Sequence, residues 1–197
     1  MTGMVNANES PASWLSVLGI DEKHINEKIR LLIKTNSRYL RDLRTNVTNA
    51  LQAVTLVKKE AFLLAFGAAV NEKHTILQKA FETLSRSEGA TDEEIAEVGS
   101  CTSLVNANNV YYRFTETLSN EYYDSAPSGI RTNILSNTIL GKEFSELLSL
   151  VISALNGCQM CLRNHERVLT GHGTNKQRIL DAVRVGSVIR SLAVITV

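Results

Sequence analysis

The sequence predicts an all-α protein. Apolar residues recur at i, i+3 and i+4 through most of the 197 positions, and no Val/Ile/Thr-rich run alternates with period two for long. With only two prolines, long stretches hold no helix breaker.

After a polar start, positions 21–39 carry Ile25, Ile29, Leu32 and Ile33 on one face, predicting a first helix. A long apolar helix is expected over 46–70 and another over 72–86, which Ser87-Glu88-Gly89 ends. Thr91-Asp92-Glu93-Glu94 has capping-box form, so a further helix starts there. Asn109-Val110-Tyr111-Tyr112-Arg113-Phe114 is an aromatic cluster without a basic patch, which argues for packing rather than base stacking.

Pro127 and Gly129 mark 123–131 as a loop between two halves, with a short helix over 131–136. Positions 143–155 are apolar on one side, Asn156-Gly157 breaks that helix, and a new one starts near Cys158. Gly171-His172-Gly173 stops it. Thr174-Asn175-Lys176-Gln177 caps the last helix, whose Ile179, Leu180, Val183 and Ile189 are expected to face inward.

The order apolar helix, break, helix, glycine turn, cap and helix occurs twice. Val70-Asn71 corresponds to Asn156-Gly157, and the cap at Thr91 to that at Thr174. The reading is one all-helical domain over 1–197, with pseudo-duplicated halves at about 20–125 and 130–197. Glu72, Lys73 and His74 lie near the first break with no thiol, so only the second half would hold a redox centre.

A net charge of +1 gives no electrostatic footprint for nucleic acid or a membrane surface. Positions 1–19 lack a cationic stretch and an apolar core, so they do not read as a secretory signal. The longest uninterrupted apolar stretch, Ala61 to Val70, is half a membrane span. A cytoplasmic location is expected, where a Cys-x-x-Cys pair points to catalysis or metal binding rather than a structural staple.

Cys158, Cys161 and His165 share one helical stripe, and Cys158 falls in a first turn, where unpaired N–H groups and the helix dipole favour an anion. Glu146 lies on the preceding helix; if the two helices pack as a hairpin, its carboxylate folds back toward His165 and the thiols. A dithiol supplies two electrons by closing to a disulfide, and an acid/base pair makes the thiolate and protonates the leaving group.

Three readings compete with a redox centre. The cysteines could be small buried apolar residues beside a surface His165. They could ligate structural zinc with His165 and Glu146, although no second Cys/His pair completes the usual tetrahedron. Thioredoxin-like exchange belongs to a βαβ context that is absent here. Elsewhere Cys101 reads as core, His24, His74 and His172 as surface or turn residues, Arg113 and Arg131 as salt-bridge formers, and Lys58-Lys59-Glu60 as a solvated face.

The spacing of Glu146, Cys158, Cys161 and His165 resembles the active-site pattern of the alkyl hydroperoxidase D (AhpD) family, within the carboxymuconolactone decarboxylase-like superfamily. Asn109 through Phe114, Gly129-Ile130-Arg131-Thr132-Asn133, Phe144 through Gly157, and His165-Glu166 with Leu169 extend the similarity over about 109–194. The resemblance implies an all-α fold with internal pseudo-symmetry, often assembled as a homo-oligomeric trimer.

It also implies a lipoyl-dependent antioxidant peroxidase with no tightly bound cofactor and no metal. Such an enzyme draws electrons from dihydrolipoamide, carried by a lipoylated acyltransferase, and reduces hydroperoxides or a partner AhpC-type peroxiredoxin. Carried over, Cys161 is the peroxidatic thiol, Cys158 the resolving thiol that closes the disulfide and meets partners, and His165 with Glu146 the proton relay, acting through a water. Adjacency to His165 independently favours Cys161, because a helix dipole contributes only about 0.3–1 kcal/mol, less than one pKa unit.

One position departs from the family. Met160 stands where AhpD proteins commonly carry a histidine, and a thioether cannot exchange protons. That implies slower turnover or a different oxidant, and gives weight to an alternative, a non-enzymatic redox-sensing or thiol-relay module. The decarboxylase branch fits poorly, since its chemistry uses no cysteine pair.

Overall fold

The computed structural model describes residues 13–196; the signal reading over 1–19 therefore lies largely outside the described residues. Those described fold as helices and connecting turns, with no strand among them, as expected. Within the segment expected to be only a polar start, Ser13–Leu18 forms a 3-10 helix that buries Leu15 and Leu18.

Two early helices are shorter than periodicity suggests. The stretch 21–39 divides into a 3-10 turn at Glu22–His24 and helix α1, Glu27–Lys34, and α2 then begins at Arg38. Asn26 Oδ1 accepts from Ile29 N at 2.9 Å, and Ser37 Oγ accepts from Tyr39 N at 3.2 Å. Both side chains favour the start of a helix over its interior. The expected helix over 46–70 is likewise two, α2 (Arg38–Leu51) and α3 (Lys58–Asn71). The intervening turn is held from a distant helix, as Thr55 Oγ1 donates to Asp181 Oδ2 at 2.7 Å and Arg178 donates to Thr55 O.

Next come α4 (Thr75–Ser87), α5 (Asp92–Leu118), α6 (Glu121–Ser125), α7 (Asn133–Ser136), α8 (Lys142–Asn156), α9 (Gln159–Gly171) and α10 (Lys176–Thr196). The capping box of α5 is present in full, with Glu94 N donating to Thr91 Oγ1 and Thr91 N to Glu94 Oε2. Helix α6 takes up the start of the loop expected from 123.

Helices α3 and α8 are the buried centre. α3 buries Ala61 and Leu63 through Ala69, and α8 is covered by α3, α5, α9 and α10. Two glycines let the backbones approach: a Cβ on Gly67 would stand 2.6 Å from Leu148 Cδ1, and one on Gly186 would stand 2.5 Å from Val151 Cγ1. Buried apolar side chains from both halves join in one cluster. Among the described residues no helix is long and apolar enough to cross a membrane.

The internal duplication is visible in matching turns. After α3, Lys73 N bonds Val70 O and His74 N bonds Ala69 O; after α8, Gly157 N bonds Ala154 O and Cys158 N bonds Ser153 O. Lys73 and Gly157 both have left-handed φ, 57° and 69°, the conformation this helix-ending motif requires. Gly89 and Gly173 repeat the pattern after α4 and α9. This register pairs Lys73 with Gly157, and therefore Thr91 with Asn175 rather than Thr174. Asn175 is the cap of α10, its Oδ1 accepting from Gln177 N at 2.7 Å.

Several side chains depart from expectation. Leu180 is 52% exposed, because it lies outside the inward stripe of Ile179, Ala182, Val185 and Ile189. His74 is buried, with Nδ1 accepting from Leu77 N and Nε2 bonded to Thr196 Oγ1. Lys59 pairs with Glu94 and Glu60 with Arg178, so two of the three residues read as a solvated face serve as ties between helices. Arg113 donates to the Asn156 carbonyl at 3.2 Å instead of forming a salt bridge. Cys101 is fully buried as expected, and burial together with Glu97 pushes its thiol up to about 11.

Candidate active site

The hairpin of α8 and α9 carries all four singled-out residues, the two cysteines at its turn and Glu146 with His165 facing each other further along the two helices. Gly157 terminates α8 in a left-handed conformation, and the chain re-enters a helix at once with Cys158 as its N-cap. Cys158 and Cys161 are joined by a disulfide, and Cys158 Sγ accepts from Cys161 N at 3.4 Å. Across the hairpin, Glu146 Oε2 of α8 lies 2.7 Å from His165 Nδ1 of α9. With the carboxylate ionised, Nδ1–H donates to it and Nε2 keeps the free lone pair, the state of a base.

Cys161 and His165 line one cavity of about 420 Å³, together with residues that include Asn109 and Tyr112 of α5, Leu135 of α7, and Met160. Glu146 lines a second cavity with Lys142 and His172, and Leu135 borders both. The His165–Glu146 pair thus connects the thiol cavity with a separate opening. In this disulfide form Cys158 is fully buried and Cys161 is 7% exposed, so of the two cysteines it is Cys161 that borders the cavity. For Cys158 to meet a partner, the start of α9 has to open.

The turn is braced by asparagines that the sequence marked only as helix breaks, Asn71 and Asn156, or as part of the aromatic cluster, Asn109, and by Asn106, which it did not mark. The amides of Asn71, Asn106 and Asn156 form a closed ring: Asn71 Nδ2 donates to Asn156 Oδ1 at 3.2 Å, Asn156 Nδ2 to Asn106 Oδ1 at 3.1 Å, and Asn106 Nδ2 to Asn71 Oδ1 at 2.9 Å. Asn109, buried, accepts from Asn156 Nδ2 and donates to Ser153 Oγ. Their signal was weak, because asparagines inside helical patterns read only as poor helix formers.

Glu116 of α5 was also passed over. Its Oε2 accepts from Met160 N at 3.0 Å, and its Oε1 pairs with Arg163. The hydrogen bond from Arg163 leads in holding its carboxyl below the usual range. Among the described residues, no group of three or more His, Cys, Asp and Glu is placed to hold a metal ion.

A family model, "Carboxymuconolactone decarboxylase family", matches residues 123–195, which contain the hairpin and all four residues. A protein of Rhodopseudomonas palustris (strain BisB18) named alkyl hydroperoxide reductase AhpD is 34% identical over 156 residues, covering 79% of this chain and 86% of that protein. The chain belongs to the AhpD family. Proteins of the same name from Rhizorhabdus wittichii and Beijerinckia indica are each 35% identical, over 80% and 79% of this chain and 90% and 86% of their own lengths. These similarities reach back well before residue 109, so this AhpD-like chain resembles its relatives across its first half as well.

The matching turns of this AhpD-like fold show what stands opposite the one thiol pair. In the register of the turns, His74 stands where Cys158 does, Leu77 where Cys161 does, Phe81 where His165 does and Phe62 where Glu146 does. His74 even repeats the capping bond, its side chain accepting from the N–H three residues on at 3.2 Å. The first half keeps the turn and sets a hydrogen-bonded histidine and three apolar side chains at the four positions.

Proposed function

We propose that the protein is a thiol-dependent peroxidase that reduces organic hydroperoxides and is recycled by dihydrolipoamide. The observation that carries this reading is the shared cavity of Cys161 and His165, with His165 backed by Glu146 at 2.7 Å. The relatives' name, alkyl hydroperoxide reductase, agrees with it.

Turnover begins from the reduced pair. The Cys161 thiolate attacks the hydroperoxide O–O bond and becomes a sulfenic acid, and the departing alkoxide takes a proton from the His165/Glu146 relay to leave as the alcohol. The Cys158 thiol then displaces water from the sulfenic acid and closes the disulfide. A dihydrolipoyl dithiol opens it by two exchanges, leaving as the cyclic lipoyl disulfide. Because Cys161 borders the cavity, it is the sulfur a reductant reaches first. We further propose a cytoplasmic homo-oligomer that serves an AhpC-type peroxiredoxin and a lipoylated acyltransferase, as family resemblance implies.

The test is peroxide consumption coupled to dihydrolipoamide, run beside Cys158→Ser and Cys161→Ser. Sustained turnover that Cys161→Ser abolishes is expected. Undiminished turnover in that variant sinks the assignment, and oxidation that stops after one equivalent makes the protein a redox sensor instead.

A further inference from the structure

The first turn of α9 has two of its N–H groups already taken. Cys158 Sγ accepts from Cys161 N, and Oε2 of Glu116, reaching across from α5, accepts from Met160 N at 3.0 Å. The other oxygen of Glu116 pairs with Arg163, one turn further along α9. A carboxylate therefore occupies the helix end whose N–H groups and dipole would otherwise favour a thiolate.

We propose that Glu116 is a positioning residue for the dithiol: it closes the first turn of α9 around the sulfur pair and, balanced by Arg163, sets how readily the reduced thiols ionise. This rests on the redox reading above.

The charged and titratable groups around the pair can be told apart. From α8 comes Glu146, already bonded to His165. From α5 come Glu116, the Tyr112 phenol on the cavity wall, and Arg113, which is spent on the Asn156 carbonyl. From α9 itself come Arg163 and His165. Among the charged groups of the described residues, only Glu116 bonds the N–H of a residue lying between the two cysteines. Its fixed negative charge raises the energy of a thiolate at that helix end, and the Arg163 guanidinium offsets part of that effect.

Opposite signs make the inference testable. Glu116→Gln keeps an acceptor for Met160 N but removes the charge and leaves Arg163 unopposed, so thiol ionisation moves to lower pH. Arg163→Gln leaves Glu116 uncompensated, so ionisation moves to higher pH. A clamp that acted only structurally would loosen the turn in both variants and move both the same way.

The measurement is the pH profile of iodoacetamide alkylation of the peptide carrying Cys158 and Cys161, after reduction of the whole protein with dithiothreitol. Inflections displaced by about half a unit to one unit, downward for Glu116→Gln and upward for Arg163→Gln, are expected. An unmoved profile in Glu116→Gln, or displacement of both variants in one direction, overturns the proposal. Peroxide turnover is not read, so the two ideas fail separately. A wild-type pair that does not cycle with dithiothreitol sinks the redox reading and this inference with it, whereas a cycling pair with unmoved profiles sinks this inference alone.

Discussion

Glu146 Oε2 and His165 Nδ1 meet at 2.7 Å across the α8–α9 hairpin, joining residues from either side of the Gly157 turn. With the carboxylate ionised, Nδ1–H donates to it and Nε2 is left with the free lone pair.

Glu146→Gln should therefore lower peroxide turnover by about 10²-fold or more, the usual range for removing acid/base assistance. The fall should appear in kcat, with the disulfide still formed by a stoichiometric oxidant. Wild-type kcat in this variant would remove Glu146 from the mechanism.

Cys101 should be inert in the folded protein. With its thiol near 11, about one part in a thousand is thiolate at pH 8, and the side chain is fully buried. Iodoacetamide at pH 8 should leave Cys101 unmodified until denaturant is added; rapid native labelling contradicts the burial. The linkage has a definite sign. Folding favours the protonated thiol, so this contribution is present below the unfolded thiol value of about 8.5 and is lost as pH rises toward 11.

Acid should act through Asp181 and Glu94. Burial raises the Asp181 carboxyl, but hydrogen bonds from Thr55, Gln177 and Arg184 outweigh it and hold it below the usual range. Glu94 is lowered in the same way, burial being outweighed by Lys59 and the Thr91 N–H. Their stabilisation is present above the unfolded values, about 3.9 and 4.3, and is lost as pH falls through the lower folded values. Urea unfolding at pH 7 and pH 3 should show this fall. Asp181→Asn should cost about 1–3 kcal/mol at pH 7 and flatten the acid side, and an unchanged acid slope would refute the assignment.

Gly186→Val should destabilise the fold by about 2 kcal/mol. The first added carbon already meets Val151 Cγ1 at 2.5 Å, and a β-branched neighbour has one strongly preferred rotamer in a helix. A lowered Tm with an unchanged circular dichroism spectrum is expected; an unchanged Tm would show that α8 and α10 separate freely.

Much of this was legible because it is local. The helix start at Cys158, the left-handed Gly157, the capping box of Thr91 and Glu94, and the common stripe of Cys158, Cys161 and His165 follow from short-range geometry that residue type and spacing encode. The division of 46–70 into α2 and α3 was not legible. Its turn is held by Asp181 and Arg178, residues more than a hundred positions away.

The sequence by itself determined the all-helical class and the common stripe of Cys158, Cys161 and His165 at a helix start, and it suggested two similar halves, because helical periodicity and capping act within a few residues. The approach of Glu146 to His165 waited on the packing of α8 against α9. Only the tertiary structure decided which cysteine borders the cavity, that Glu116 stands at the start of α9, that three asparagines close a ring behind Gly157, and that His74 and Leu77 repeat the places of Cys158 and Cys161. Each of these depends on which helix faces which. That is settled by the packing of the whole core around α3 and α8, and not by any one segment's pattern.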